Sequence, residues 1–230
     1  MTATVNNKQI PTSGTATGAV TVVAKDSAGQ NVPVAAAAIT VSSATTASIA
    51  SGTCGLSTAT TGASCNLVAG ATAGSSVLTF TAGTVTTTAT VAASGKPTAI
   101  TLAFDKATYA PGEKFTLTLT GTNAAGVPGD ATYAALLAGA LSPSAAITTA
   151  LFGASVALKD GVATATGFMP INTGAFLVTG TTGADAFATG ATAGVAISAS
   201  ANISGGAIAE AAEAAADAAQ GELGPSSQLV

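Results

Sequence analysis

Few side chains in this 230-residue chain are able to do chemistry, and the two that stand out are thiols. Cys54 and Cys65 lie 11 positions apart in Ser-Gly-Thr-Cys-Gly-Leu-Ser-Thr-Ala-Thr-Thr-Gly-Ala-Ser-Cys-Asn-Leu, where turn formers and small polar residues fill the interval. The pair reads as two strand edges joined by a loop and closed by a disulfide, which places the chain in an oxidising compartment; the other reading is two buried, unpaired thiols. There is no histidine, and the 6 basic residues are all lysine: Lys8, Lys25, Lys96, Lys106, Lys114 and Lys159. A Ser-His-Asp or Cys-His arrangement therefore cannot be built, and zinc and iron sites lose their commonest ligand. A Ser-Lys pair or a carboxylate pair is still formally open. Yet Asp105, Glu113, Asp130, Asp160 and Asp185 mostly stand beside Gly, Pro or Lys, where an acid closes a turn in solvent. No Asp-x-Asp-x-Asp run is present, so a calcium site would have to be assembled by the fold, from Asp105 with Asp185 or Asp26. No catalytic residue, cofactor or resident metal is expected.

Charge narrows the partners. Residues Asp, Glu, Lys and Arg make up 7% of the chain against a typical quarter, so the surface must be covered mainly by Thr and Ser hydroxyls and by alanine. The net charge of −4 lies entirely in the tail, on Glu210, Glu213, Asp217 and Glu222, because acids and lysines balance before residue 205. A neutral body with no arginine fork cannot neutralise a run of phosphates, which excludes nucleic acid as a partner and disfavours anionic membranes. No apolar stretch approaches the roughly 18 to 20 residues of a membrane-spanning helix, so no membrane insertion is expected. The N-terminus lacks a basic start, an apolar segment and a small-residue cleavage site; a signal peptide is expected to have been removed or to lie outside this stretch.

The elements that position these residues are strands. Short period-two runs recur at Ala19 to Ala24, Val32 to Val41, Cys65 to Ala69, Ser75 to Thr81 and Thr84 to Ala92. They continue at Thr98 to Phe104, Lys114 to Thr120, Ala131 to Leu137, Ala154 to Leu158, Gly161 to Thr166, Gly174 to Gly180 and Ala191 to Ser200. Ile100, Leu102 and Phe104, then Phe115, Leu117 and Leu119, alternate with Thr or Ala and give each strand one apolar face. Asp160-Gly161 supplies a hairpin turn, and Pro111-Gly112 and Pro128-Gly129 are further turn signals. Strands at this spacing with no amphipathic helix between them predict an all-β sandwich or barrel instead of an α/β fold, and the reading taken is two tandem immunoglobulin-like β-sandwich domains followed by a short Ala-rich C-terminal helix. The expected boundaries are an N-terminal extension over 1–13, a first sandwich over 14–93, a linker over 94–97, a second sandwich over 98–204 and an Ala/Glu-rich helical tail, a stalk segment, over 205–230.

An internal repeat supports the division. The strand ending near Ala24 runs into Asp26-Ser-Ala-Gly29 and then Val32-Pro33, and the strand ending near Gly121 runs into Asn123-Ala-Ala-Gly126 and then Val127-Pro128. In each copy the Asp or Asn side chain closes a turn on its own backbone, Gly supplies positive φ, and Val-Pro opens the next strand at an edge. These turn residues, Asp26, Gly29, Asn123, Gly126, Asp160 and Gly161, are read as structural.

At Lys25-Asp-Ser-Ala-Gly-Gln-Asn-Val-Pro33 the chain resembles bacterial immunoglobulin-like domains of the invasin and intimin type, as do the Gly-Thr-Cys-Gly stretch and Phe104-Asp-Lys-Ala-Thr-Tyr-Ala-Pro-Gly-Glu-Lys-Phe-Thr-Leu117. The Ala-Glu-Ala-Ala tail resembles the stalk of actinobacterial S-layer-like surface proteins. The resemblance implies an extracellular, cell-surface, non-enzymatic protein acting as a spacer or lattice element, with copies of itself or other cell-surface proteins as partners and cell-surface glycan as a further one. An adhesin or glycan-binding module with its site in loops around Ala138 to Ser144 or Thr166 to Thr173, and a phage or virion decoration domain, are the alternatives. Lys106 and Lys114, near Glu113, are read as surface lysines in a β-turn; the other reading, from the resemblance, is an intramolecular Lys-to-Asn or Lys-to-Asp isopeptide bond of the kind similar adhesin domains use. Asn202-Ile-Ser204 is an acceptor sequon, and the Thr-rich faces are suited to O-linked sugar.

Overall fold

Threonine alternating with Val, Leu and Phe dictates strands with one side buried, and the computed structural model, which describes residues 1–35, 38–58, 61–186 and 194–205, is built of them. In chain order these are β1 (Thr2–Val5), β2 (Gln9–Pro11), β3 (Thr15–Lys25), β4 (Asn31–Val32), β5 (Thr40–Ser43), β6 (Ile49–Cys54), β7 (Ala63–Ala69), β8 (Gly74–Ala82) and β9 (Val85–Ser94). Then come β10 (Ala99–Phe104), β11 (Thr108–Tyr109), β12 (Lys114–Thr122), β13 (Ala131–Tyr133), β14 (Ser142–Pro143), β15 (Val156–Leu158), β16 (Val162–Phe168), β17 (Gly174–Thr181) and β18 (Ala196–Ile203). A short 3-10 turn covers Ala184–Ala186.

The strands form sheets that pair into two sandwiches. In the first, β1-β3-β7-β6, with β4 added to β3, covers β2-β9-β8-β5. In the second, β10-β12-β16 covers β11-β18-β17-β14, and β13 pairs with β15 alongside. Each sandwich encloses its own buried cluster: Val20, Leu67, Leu78 and Phe80 centre the first, and Phe115, Leu117, Leu119 and Phe176 the second. Each fully buried Leu, Val or Phe contributes about 1.5–3 kcal/mol. In the second core Phe104 bridges the sheets, with ring centroids 5.4 Å from Phe115 on β12 and 5.9 Å from Phe176 on β17, distances at which aromatic pairs attract beyond their burial.

The two sandwiches share one strand plan. The chain enters on one sheet (β1 antiparallel to β3; β10 antiparallel to β12) and then crosses to the other, where β2 lies parallel to β9 and β11 parallel to β18. This crossing stitches the two sheets together along one side and pairs backbone that would otherwise be an open edge. β3 has 11 residues where β12 has 9, and the extra residues are taken up by a register shift between Ala16 and Val20 against β7.

Several expectations change. The 1–13 stretch, read as an extension, supplies β1 and β2. The single strand expected over Val32 to Val41 is two strands, β4 on β3 and β5 on β8, because Pro33 lacks the N–H that a ladder needs and the chain crosses between sheets there. The strand expected over Ala131 to Leu137 ends at Tyr133. β6, read only as a strand edge at Cys54 because Ser and Gly interrupt its alternation, pairs with β7 and places Cys54 opposite Cys65, which are joined in a disulfide. Residues 206–230, which carry nearly all of the expected helical tail, and the start of the strand expected at Ala191 lie outside the described residues.

The disulfide ties edge strand β6 to its neighbour and closes an 11-residue separation, for which loop entropy gives about 3 kcal/mol. Reduction, or Cys54→Ser with Cys65→Ser, is expected to lower the melting temperature of the first sandwich while leaving that of the second unchanged, as read by differential scanning calorimetry.

Candidate functional site at the joint between the sandwiches

Charged side chains are few in the body of this chain, and four of them, Lys96, Asp130, Lys159 and Asp185, gather where the two sandwiches meet. The chain leaves β9 at Ser94 and reaches β10 at Ala99, and almost every residue between is held by the second sandwich. Asn123 donates from Nδ2 to Ser94 Oγ (3.0 Å) and to the Gly95 carbonyl (3.0 Å), while Ser94 Oγ donates to the Val127 carbonyl (2.6 Å). Asn123 Oδ1 meanwhile accepts from Ala125 N–H (2.9 Å), closing its own turn. The amide thus does two jobs at once, and an aspartate there would lose the donor.

A second set of contacts joins the sandwiches through backbone. Gly129 N–H donates to the Gly95 carbonyl (3.2 Å) and Asp130 N–H to the Gln9 carbonyl (2.8 Å). This approach requires Gly129: a Cβ there would lie 2.5 Å from Pro11 Cα and 2.7 Å from Pro11 N, closer than real Cβ contacts come. Tyr133 donates its hydroxyl to the Gly129 carbonyl (2.6 Å), holding that backbone from behind; burial first, then the carboxylates Asp130 and Asp185, push the phenol pKa up to about 12.

Charge completes the joint on two sides. Lys159 Nζ donates to the Asn6 carbonyl (2.5 Å) and Asn7 Oδ1 (2.9 Å) in the first sandwich, and to Asp130 Oδ2 (3.0 Å) in the second. Asp130 is 4% exposed at its side chain, and its other oxygen accepts from Asp160 N–H (2.7 Å). A carboxylate this buried needs both partners. Lys159 is brought to bear by the hairpin at Asp160 and Gly161, both at positive φ (50° and 77°), which is the two-residue turn that matches strand twist. On the other side Lys96 pairs with Asp185 (2.5 Å), and Asp185 Oδ2 accepts from Ala135 N–H (3.0 Å). The lysine first, and the Ala135 N–H second, hold the Asp185 carboxyl below its ordinary value of 3.8.

The residues singled out from sequence fall in different places. Asn123, Gly126, Asp160 and Gly161 stand at the joint. Asp26 and Gly29 form the matching turn at the opposite end of the first sandwich, where Asp26 Oδ1 accepts from Ala28 N–H (2.9 Å) and Gln30 N–H (2.8 Å). Cys54 and Cys65 lie at that same end. Asp105, Asp185 and Asp26, weighed together for calcium, are held apart by different partners. Asp105 accepts from Thr116 N–H (2.5 Å) and Tyr109 hydroxyl (2.7 Å), which in that order hold its carboxyl below the usual range, and burial first, then the hydrogen bond to Asp105, pushes Tyr109 up to about 12. Among the described residues no three His, Cys, Asp or Glu side chains come together as a metal site. Lys106 pairs as an ion with Glu113, whose other oxygen accepts from Ala110 N–H (2.8 Å), in a half-exposed turn. Sequence reading placed Ser94 and Lys96 in the 94–97 linker and Gly129 in a Pro-Gly turn but missed the contacts that these residues, Asp130 and Lys159 make at the joint; the exchange of Asp26 for Asn123 within the repeat was a further signal for it.

No family model and no curated protein matches the chain. Among solved structures it is similar to the Escherichia coli adhesin FdeC, at 21% identity and a TM-score of 0.35 over 88% of this chain and 63% of that one. It is similar to InvD of Yersinia pseudotuberculosis, at 19% identity and a TM-score of 0.36 over 89% of this chain and 57% of that one. It is similar also to domains 4 and 5 of the S-layer protein SbsC, at 17% identity and a TM-score of 0.32 over 87% of this chain and 96% of that one. The chain thus spans about three fifths of the length of the first two.

Gly129→Val is expected to open the joint, because the three nearest atoms a Cβ would meet are backbone atoms of Pro11 and Ile10 in the first sandwich. Limited proteolysis by subtilisin should then cut between Ser94 and Thr98 at least tenfold faster, with both melting transitions retained. Acid should act in the same direction. The folded pKa of Asp185 is lowered, so its contribution is present above about pH 3.8 and is lost as pH falls from there through the lower folded value.

Proposed function

We propose that this chain is a non-enzymatic structural protein of a bacterial cell surface, in which two sandwiches fixed end to end act as a stiff spacer. The observation that carries this reading is the joint: side-chain and backbone hydrogen bonds from Asn123, Gly129, Asp130 and Lys159 leave the connecting segment no slack. Interfaces between domains of one chain ordinarily allow relative motion unless they are large or specifically fastened, and this one is fastened on several sides. A protein whose task was to close on a ligand would need a hinge at this place. The disulfide fits an oxidising compartment, and the uncharged, hydroxyl-covered surface suits close packing among neighbours whatever the salt concentration.

The spacer reading predicts a fixed reach. Immunogold against an epitope inserted at the Gly83 turn of the protein in its native surface context should lie at a narrow distance from the envelope in electron tomograms, and Gly129→Val should broaden that distribution at unchanged protein abundance. A distribution equally broad in both, or protein confined to the cytoplasm, would defeat the reading.

A further inference from the structure

Each sandwich is threaded from one end to the other by its own chain. The first is entered at β1, where Thr2 pairs with Val23 close to the Asp26 turn, and is left at Ser94, at the joint. The second is entered at the joint, where Ala99 pairs with Thr122 beside Asn123, and is left at Ile203, which pairs with Tyr109 at the far end. A pull on the two ends of the chain therefore runs along the strands of both bodies.

On its way in, the chain crosses to β2 or β11, and each of these is bonded in parallel to the strand by which the chain leaves, β2 to β9 and β11 to β18. Tension drags the incoming strand backward and the outgoing strand forward, so the two can part only by sliding along their length. The hydrogen bonds between them lie across that motion and share the load together, whereas an antiparallel hairpin pulled at its open end gives up one bond at a time. In the first sandwich Ala92 N–H donates to the Lys8 carbonyl (3.0 Å) and Thr12 N–H to the Ser94 carbonyl (3.0 Å), with Ile10 in register between them. In the second, Asn202 N–H donates to the Ala107 carbonyl (2.8 Å) and Ser204 N–H to the Tyr109 carbonyl (3.0 Å).

The second pair is the shorter, and its sequence shows why. The turns that follow β2 and β11 match: Gly14 N–H donates to the Pro11 carbonyl (3.1 Å) and Glu113 N–H to the Ala110 carbonyl (3.1 Å), with Ser13 and Gly112 at φ 57° and 72°. Pro111 stands where Thr12 stands, and proline has no N–H to give. Side chains supply what that backbone lacks. Asp105 Oδ1 accepts from Thr116 N–H on β12 (2.5 Å) and from the Tyr109 hydroxyl on β11 (2.7 Å), and the Tyr109 oxygen accepts from Lys106 N–H (3.0 Å). These bonds tie the crossing segment to both sheets at the place where a pull on β10 would draw it out.

We propose that this chain bears tension, each sandwich being a clamp in which the parallel pair of incoming and outgoing strands carries the load, braced in the second by Asp105 and Tyr109. The proposal goes beyond the spacer reading, and the two fail separately: a joint that holds two bodies in line does not set the force at which either body opens.

The test is single-molecule force spectroscopy on the full chain with its disulfide intact. The wild type is pulled once by its two ends, and once between Thr173, an exposed residue, and the C-terminal end, which peels β18 from β17 starting at the pair of Gly174 and Ile203. The second sandwich is expected to open at a force several times higher in the first geometry. Reduction identifies the first sandwich, because only its opening lengthens, by the 11-residue separation of Cys54 and Cys65, about 40 Å of extended chain. Thr12→Pro copies the residue that the second sandwich already carries at this turn position. It is expected to shorten the lifetime of the first sandwich under constant end-to-end load about fivefold, the effect of losing one hydrogen bond, and to leave the second sandwich unchanged. Tyr109→Phe should do the reverse. Equal opening forces in the two geometries would overturn the clamp, as would end-to-end lifetimes that neither substitution shortens. The comparison of geometries uses the wild type alone, so it stands even where a variant does not fold.

Discussion

Backbone running against backbone at Gly129 and Pro11 is the constraint on which the arrangement of the two sandwiches depends. It is a contact with no side chain on one partner, so the second sandwich comes close enough for Gly129 and Asp130 to donate N–H groups to the Gly95 and Gln9 carbonyls. With that approach made, the polar groups around it have fixed places to reach. Asn123 finds Ser94 and Gly95, and Lys159 finds Asn6 and Asn7, at ordinary hydrogen-bond distances. Without it, the same side chains would face solvent across a flexible linker.

Charge is used sparingly and locally. Of the 6 lysines, Lys96 and Lys159 serve the joint, each paired with an acid of the second sandwich. Exposed ion pairs contribute little by themselves, on the order of 1 kcal/mol or less. Lys159 matters for another reason. It is held in place by a nearly buried carboxylate of its own sandwich and reaches two groups of the other, so moving the sandwiches apart would strip Lys159 of Asn6 and Asn7 while Asp130 kept its partners. Among the described residues the remaining surface of Thr and Ala offers no comparable anchor, which concentrates the information about domain arrangement in a few residues.

The sandwich architecture was legible because period two is a local signal: Phe115, Leu117 and Leu119 announce a one-sided strand wherever they occur. Strand ends and sheet assignments were less so. β1 and β2 have no large apolar alternation, and β6 is broken by Ser51 and Gly52; all three are strands because of partners far along the chain. Pro33 divided a run whose alanines suggested continuity. The joint was the least legible part, since Lys159 lies 153 residues from Asn6 and nothing near it in sequence marks that destination. The 94–97 linker marked where the joint lies, and Asn123 carried a trace of its contacts, an amide where its repeat partner Asp26 has a carboxylate; the reason for that exchange is visible only once the linker is seen in its grip.

A spacer transmits position, and it must resist bending at the place where its two bodies meet. The most direct measurement is therefore of relative orientation in solution. Residual dipolar couplings from backbone amides of both sandwiches, recorded on the full chain in a weakly aligning medium, are expected to fit one alignment tensor with the two bodies held as the Gly129 and Pro11 contact holds them. Two tensors of clearly different magnitude, one for each sandwich, would mean that the bodies move independently, and would contradict the account.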